Sequence, residues 1–135
     1  MRHQVLLVAA LALVSACGGG DSATGPTASF AGTYTLRTIN GSNLPYTVVQ
    51  VGADKFEIVD DAVTLNDGGT WTESGHFRET ENGVVTTTSI VDAGTYTRTG
   101  TAITLDSPTT GSVSGTVSGG TLTVSLEGLS AVYRK

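Results

Sequence analysis

The feature that most constrains this chain is its turn punctuation. Asn40-Gly41, Asn66-Asp67-Gly68-Gly69, Glu81-Asn82-Gly83 and Gly119-Gly120 break the sequence after residue 28 into short segments. Asn-Gly and Gly-Gly pairs supply the positive φ that tight hairpin turns require. Between them lie runs rich in Thr and Val, which favour strands. No run after residue 28 repeats apolar residues at helical spacing over three turns. Strands at roughly ten-residue spacing, joined by tight turns, make an antiparallel meander. Closure removes the exposed edges of such a sheet most simply. The predicted class is all-β: an up-and-down meander of eight to ten strands in a closed or nearly closed barrel.

Alternation assigns faces. Phe30 to Ile39 puts Phe30, Gly32, Tyr34 and Leu36 on one side. Tyr46 to Val51 is apolar enough for a strand or a lid. Lys55 to Leu65 carries Phe56 and Ile58 on one parity and Val63 and Leu65 on the other, so a bulge or turn is needed, most simply at Asp60-Asp61. Thr70 to Glu79, Val84 to Ile90, Asp92 to Thr99 and Thr101 to Asp106 follow. Val113 to Val117, Leu122 to Leu126 and Leu129 to Arg134 complete the set. Ala31-Gly32-Thr33-Tyr34-Thr35 recurs as Ala93-Gly94-Thr95-Tyr96-Thr97; five residues are too few for a duplication, and a Gly-x-Tyr strand opening used twice explains the echo.

The first residues are of another kind. Arg2 and His3 precede the apolar run Val5 to Val14, about half of the roughly 20 residues that span a bilayer. A basic start, a short apolar stretch and small residues after it form a secretory signal peptide. The run ends in Val14-Ser15-Ala16-Cys17, which resembles the bacterial lipobox. That resemblance implies cleavage before Cys17, a diacylglycerol on its sulfur and an acyl chain such as palmitate on its new amine. Cys17 is the only cysteine, so no disulfide or thiolate metal site remains. The alternative is an ordinary signal peptide whose Cys17 stays free or is removed. Residues 1–16 are thus read as signal peptide and 17–27 as a Gly/Ser-containing flexible tether. Residues 28–135 form the domain. Two or more buried acyl chains give a stable membrane anchor. Gly18 stands where inner-membrane lipoproteins often carry Asp, which implies outer-membrane or surface residence.

Within the domain, Gly32-Thr33-Tyr34-Thr35-Leu36, Val63-Thr64-Leu65-Asn66-Asp67-Gly68-Gly69-Thr70-Trp71, Gly94-Thr95-Tyr96-Thr97 and Gly120-Thr121-Leu122-Thr123-Val124 carry a second resemblance. They are similar to the lipocalin-like domains of many bacterial lipoproteins, over about residues 28–135. The resemblance implies a barrel; Tyr34 stands where true lipocalins carry Trp.

Twelve acidic residues face seven basic ones in the whole chain. This balance argues against nucleic acid, whose phosphates call for Lys/Arg clusters. Catalysis finds little support: the mature domain has one histidine, His76, no thiol, and no Gly-x-Ser-x-Gly elbow. The chain is expected to be a monomeric non-enzyme without a cofactor or metal. Glu73-x-x-His76 falls on opposite faces of a strand, so one ion cannot readily take both. Asp60-Asp61, with Asp54 and Asp67, lacks EF-hand spacing and reads as acidic turn residues.

The favoured function is binding of one small apolar or amphiphilic ligand inside the barrel. Tyr34, Trp71, Phe77 and Tyr96 would form the wall, and Arg98, on the face of Tyr96, would meet an anionic head group. If Trp71 and Phe77 point inward, Glu73 does too and must be paired, ligand-facing or at a rim. A bulge at Ser74-Gly75 would send Glu73 to solvent, the commoner fate of a lone carboxylate. The competing function is a structural or interaction lipoprotein with a filled barrel and no small-molecule ligand.

The anchor assignment depends on one sulfur. Cys17→Ser is expected to abolish incorporation of a radioactive fatty acid, and equal labelling of both proteins would refute lipidation.

Overall fold

The computed structural model describes residues 29–135, so Cys17 and the segments read as signal peptide and tether lie outside the described residues. Ten strands follow one another: β1 (Gly32–Ile39), β2 (Ser42–Asn43), β3 (Tyr46–Val51), β4 (Asp54–Leu65), β5 (Thr70–Glu81), β6 (Val84–Thr99), β7 (Ala102–Ser107), β8 (Gly111–Ser118), β9 (Thr121–Leu126) and β10 (Leu129–Arg134). Every pairing is antiparallel. From β4 to β10 each strand pairs with the next in sequence. β1 closes the circle by pairing with β10 on one side and β4 on the other. The result is a closed eight-stranded barrel plus two extra strands, β2 on β1 and β3 on β4. Asn-Gly does the expected work at two hairpins. Asn40 and Gly41 have φ of 49° and 78°, Asn82 and Gly83 of 50° and 80°, the positive pair of a type I′ turn.

Two bulges correct the alternation. In β4 the ladder to β5 slips between Ile58 and Asp60, so the extra residue is Val59, one place before the predicted Asp60-Asp61. Ile58 then faces the interior together with Asp61, Val63 and Leu65. Asp60-Asp61 is therefore mid-strand, not a turn. In β1 the ladder to β10 slips between Leu36 and Thr38. Arg37 is the extra residue, which returns Ile39 to the buried face that Tyr34 and Leu36 share. The two segments read as Val84–Ile90 and Asp92–Thr99 are one continuous strand, because the β5 ladder runs unbroken through Val91.

The two ends of the barrel differ. At the end where residue 29 enters, the interior is packed by Tyr34, Leu65, Val117 and Leu122, all essentially without solvent exposure. The Tyr34 hydroxyl donates to the Phe30 carbonyl, and Tyr96 Oη donates to Asn66 O at 2.6 Å. The Gly-x-Tyr echo thus places two tyrosines in one plug, each phenol satisfied by a carbonyl of a connecting segment. Burial raises the pKa of both phenols. Phe30 stands edge-on to Tyr96 at 6.0 Å, the Arg98 guanidinium lies 4.4 Å from the Phe30 ring, and Lys135 Nζ donates to Ser29 O at 2.6 Å.

At the other end the wall is uneven. β6 pairs with β7 only over Thr95–Thr99. Its first half pairs with β5 alone and continues past the barrel with β5, β4 and β3. Phe56 and Phe77 pack on each other there at 4.9 Å. Glu57 on the outer face of this extension is held by Lys55 at 2.9 Å and Arg78 at 2.9 Å, which lowers its pKa, chiefly through the Lys55 hydrogen bond.

Gly94 is required by close approach. A Cβ there would overlap the Asp106 carbonyl oxygen and sit 3.0 Å from Trp71 Nε1. Gly94→Ala is expected to push β6 from β7 and lower stability by about 2–3 kcal/mol, the cost of overpacking. A denaturant melt of the full chain checks this, and an unchanged midpoint would contradict the close packing.

Candidate functional site

Inward positions near the open end do not fill the barrel. They leave a cavity of about 300 Å³. Leu36 and Ile39 of β1, Val63 of β4, Leu105 of β7, Val113 of β8 and Val124 of β9 form an apolar wall. The small side chains of Val, Ala and Thr at the inner positions explain the void: the same wall built from aromatics would close it. The mouth lies among the β1–β2, β7–β8 and β9–β10 connections, opposite the end that Phe30 and Tyr34 plug.

Three titratable side chains reach this apolar space. Asp61 on β4, Glu73 on β5 and Tyr133 on β10 all line it. Their convergence follows from register. Glu73 lies opposite Val63 and Asp61 opposite Gly75, so the two carboxyls are diagonal neighbours on the inner face of adjacent strands. Gly75 makes room: a Cβ there would come 2.8 Å from both Asp61 Cα and Asp61 Oδ1. Tyr133 Oη donates to Asp61 Oδ2 at 2.7 Å. Asp61 Oδ1 is buried and no well-formed hydrogen bond reaches it, although the Ala62 N–H and the Glu73 carboxyl lie near enough to favour the Asp61 charge.

Such a carboxylate pair is expensive. Burial is the first cause of a raised pKa at Glu73, and the Asp61 charge adds to it, bringing Glu73 to about 8. Asp61 is raised as well, again by burial, against the Tyr133 hydrogen bond that favours its charge. The Tyr133 phenol is pushed far up by burial and then by the Asp61 charge. At neutral pH Glu73 therefore keeps its proton, which it can offer to Asp61 beside the Tyr133 hydroxyl.

Asp92 of β6 lies directly across from Glu73 and behaves differently. Thr110 Oγ1 donates to Asp92 Oδ2 at 2.7 Å and Ser107 Oγ to Oδ1 at 2.8 Å. These donors, Thr110 first, hold its pKa down. Ser107 Oγ in turn accepts from Thr109 N at 3.0 Å and Thr110 N at 3.1 Å, so the ionised Asp92 pins the β7–β8 connection beside the mouth.

Of the six predicted ligand-contact residues, Trp71 and Glu73 line the cavity and four do not. Trp71 is a buried wall residue, with Nε1 donating to Thr95 O at 3.0 Å and Asp106 O at 3.3 Å. Glu73 faces inward because β5 runs without a bulge through Ser74-Gly75. Tyr34 and Tyr96 belong to the plug at the far end, and Arg98 lies over Phe30 outside that plug rather than near the cavity. Phe77 keeps the parity of Trp71 but sits on the extension beyond the barrel wall. Asp61 and Tyr133 were missed as site residues. Inward Val63 and Leu65 oblige Asp61 to face inward too, by the period of two, and that signal was readable.

His76 lies on the outer face, its Nδ1 2.8 Å from Asp60 Oδ1. Among the described residues, no three His, Cys, Asp or Glu side chains gather as metal ligands.

The Glu73 proton links the site to stability. Its carboxyl titrates at about 8 in the folded chain against 4.5 ordinarily. Between those values the unfolded state has lost a proton that the folded state keeps, so stability is greatest below about pH 4.5 as far as this group is concerned and falls as pH rises toward 8. Glu73→Gln is expected to remove that slope and raise the melting temperature at pH 8 relative to the parent. Parallel melting curves for the two proteins from pH 5 to 8 would contradict it.

No protein-family model, curated protein or solved structure matches this chain, and its function is argued from the cavity's own geometry.

Proposed function

We propose that the chain is an extracytoplasmic lipoprotein, anchored through Cys17, whose barrel binds one small apolar or amphiphilic ligand. The observation that carries this reading is the cavity of about 300 Å³ with its apolar wall and convergent polar groups. Binding sites are of this kind: mostly apolar, concave, with few polar groups that fix orientation. The cavity favours this reading over a filled barrel with a purely structural role. At about 30 Å³ per water-sized volume, it suits a ligand of about ten non-hydrogen atoms rather than a two-chain lipid.

Chain direction supports an extracytoplasmic binding role. Residue 29 enters at the plugged end, opposite the mouth, which is compatible with a ligand that arrives from the aqueous side.

Native mass spectrometry of the lipidated full chain tests this. The expected result is a non-covalent adduct of small mass that denaturation releases, or uptake of one equivalent of a small apolar probe. A chain that carries no adduct and takes up no such probe would overturn the binding function.

A further inference from the structure

Asp61 poses a problem that the binding reading alone leaves unsolved. It is 5% exposed, it faces an apolar cavity, and no well-formed hydrogen bond reaches its Oδ1. Buried carboxylate oxygens are ordinarily satisfied, and an orphan calls for an explanation. Tyr133 has spent its one hydrogen on Oδ2. Glu73 can help only by keeping a proton of its own. The acidic side chains that line this space come from two strands, Asp61 from β4 and Glu73 from β5, and Asp92 of β6 lies across from Glu73. β10 adds a phenol. No Lys or Arg lines the cavity: Arg98 lies over Phe30 at the plugged end, Lys55 and Arg78 hold Glu57 outside the barrel, Lys135 meets Ser29, and Arg37 and Arg134 are exposed.

Resting on the binding function proposed above, we infer that the cavity selects a small primary amine, whose ammonium donates to Asp61 Oδ1 and Glu73 while its apolar body lies against Leu36, Val63, Trp71 and Val124. The chemistry is complementary on each count. An ammonium has three donors and no acceptor, which is what two carboxyls and no free donor require. Bonds to charged groups are stronger than neutral ones, more so in a dry site. A carboxylate ligand would add charge to a site that already holds a surplus of it. A neutral alcohol offers one hydrogen where three are useful. The proton on Glu73 leaves to solvent as the ammonium takes its place, so charge in the cavity stays balanced: one cation more, one proton less, against Asp61 and Glu73 both ionised beside Asp92.

The test compares hexylamine, hexan-1-ol and hexanoate on the full chain at pH 7, with the emission of Trp71, the only tryptophan, as the reporter. Hexylamine is expected to bind at least about tenfold more tightly than hexan-1-ol, the worth of a charged hydrogen bond, with hexanoate weakest. Asp61→Asn should bring amine and alcohol to within about threefold of each other while alcohol binding persists. An asparagine can still accept from Tyr133 and can donate to Glu73, so the barrel is expected to hold; circular dichroism checks this. Should that variant fail to fold, Glu73→Gln, which keeps a donor for Asp61, must show the same loss of amine preference. Equal affinity for amine and alcohol, or a preference that survives both substitutions, overturns the amine assignment and leaves the binding function standing. Failure of all three compounds to bind overturns both.

Discussion

The barrel depends on one strand that pairs on both sides. β1 joins β10 through Thr35↔Arg134 and β4 through Gly32↔Leu65. Without it, the sheet would be an open meander with two long free edges, and the inner face would be a wet surface. Closure turns that face into an interior, and only in an interior does Asp61 lose its water. The Arg37 bulge belongs to the same device. It lets Ile39 face inward three residues after Leu36, so β1 keeps an apolar face as it bends into β2.

Two opposite treatments of a carboxylate follow from that enclosure. Asp92 receives two hydroxyls and a backbone N–H, so its charge is stabilised and serves to tie down a connection. Asp61 receives a single phenol and sits one strand pair away from a second acid. The two carboxylates flank Glu73 on neighbouring strands, yet one is complete and the other is short of donors. Structural ion sites are of the first kind. An unfinished set of hydrogen bonds in an apolar pocket is the kind that a ligand completes, as a pocket of few, convergent polar groups must.

The fold was more legible than the site. Type I′ signals at Asn40-Gly41 and Asn82-Gly83 are local chemistry, readable without tertiary context. The parity conflict in β4 announced a bulge to within one residue. β6 reads in the sequence as two segments on either side of Val91, and only the partner strand shows that pairing continues through it. Alternation put Trp71 and Glu73 on one face, and the bulge at Ser74-Gly75 that would have sent Glu73 to solvent does not occur. Tyr34, Tyr96, Arg98 and Phe77 have the correct parity too, and what the sequence cannot carry is height along the barrel axis. A period of two says inside or outside. It does not say plug, cavity or extension. Asp61 was overlooked for a different reason: two adjacent aspartates resemble a turn until the register assigns them to opposite faces, Asp60 to His76 and Asp61 to the cavity.

The unpaired half of β6 bears on solubility. Val84 to Val91 contains neither charge nor proline, and Val84, Val85 and Val91 project into solvent. Native sheets commonly guard such an edge with Lys, Pro or a bulge; this edge has none. Its backbone donors and acceptors are a ready template for another extended chain, and the sequence Val-Val-Thr-Thr-Thr-Ser-Ile-Val has the composition of a segment that stacks on copies of itself. The barrel proper is immune, since a closed sheet has no end to extend. Self-association in the described residues is therefore favoured at edges outside the circle, this one and β3 with its exposed Val48, Val49 and Val51, while a net negative charge makes copies repel.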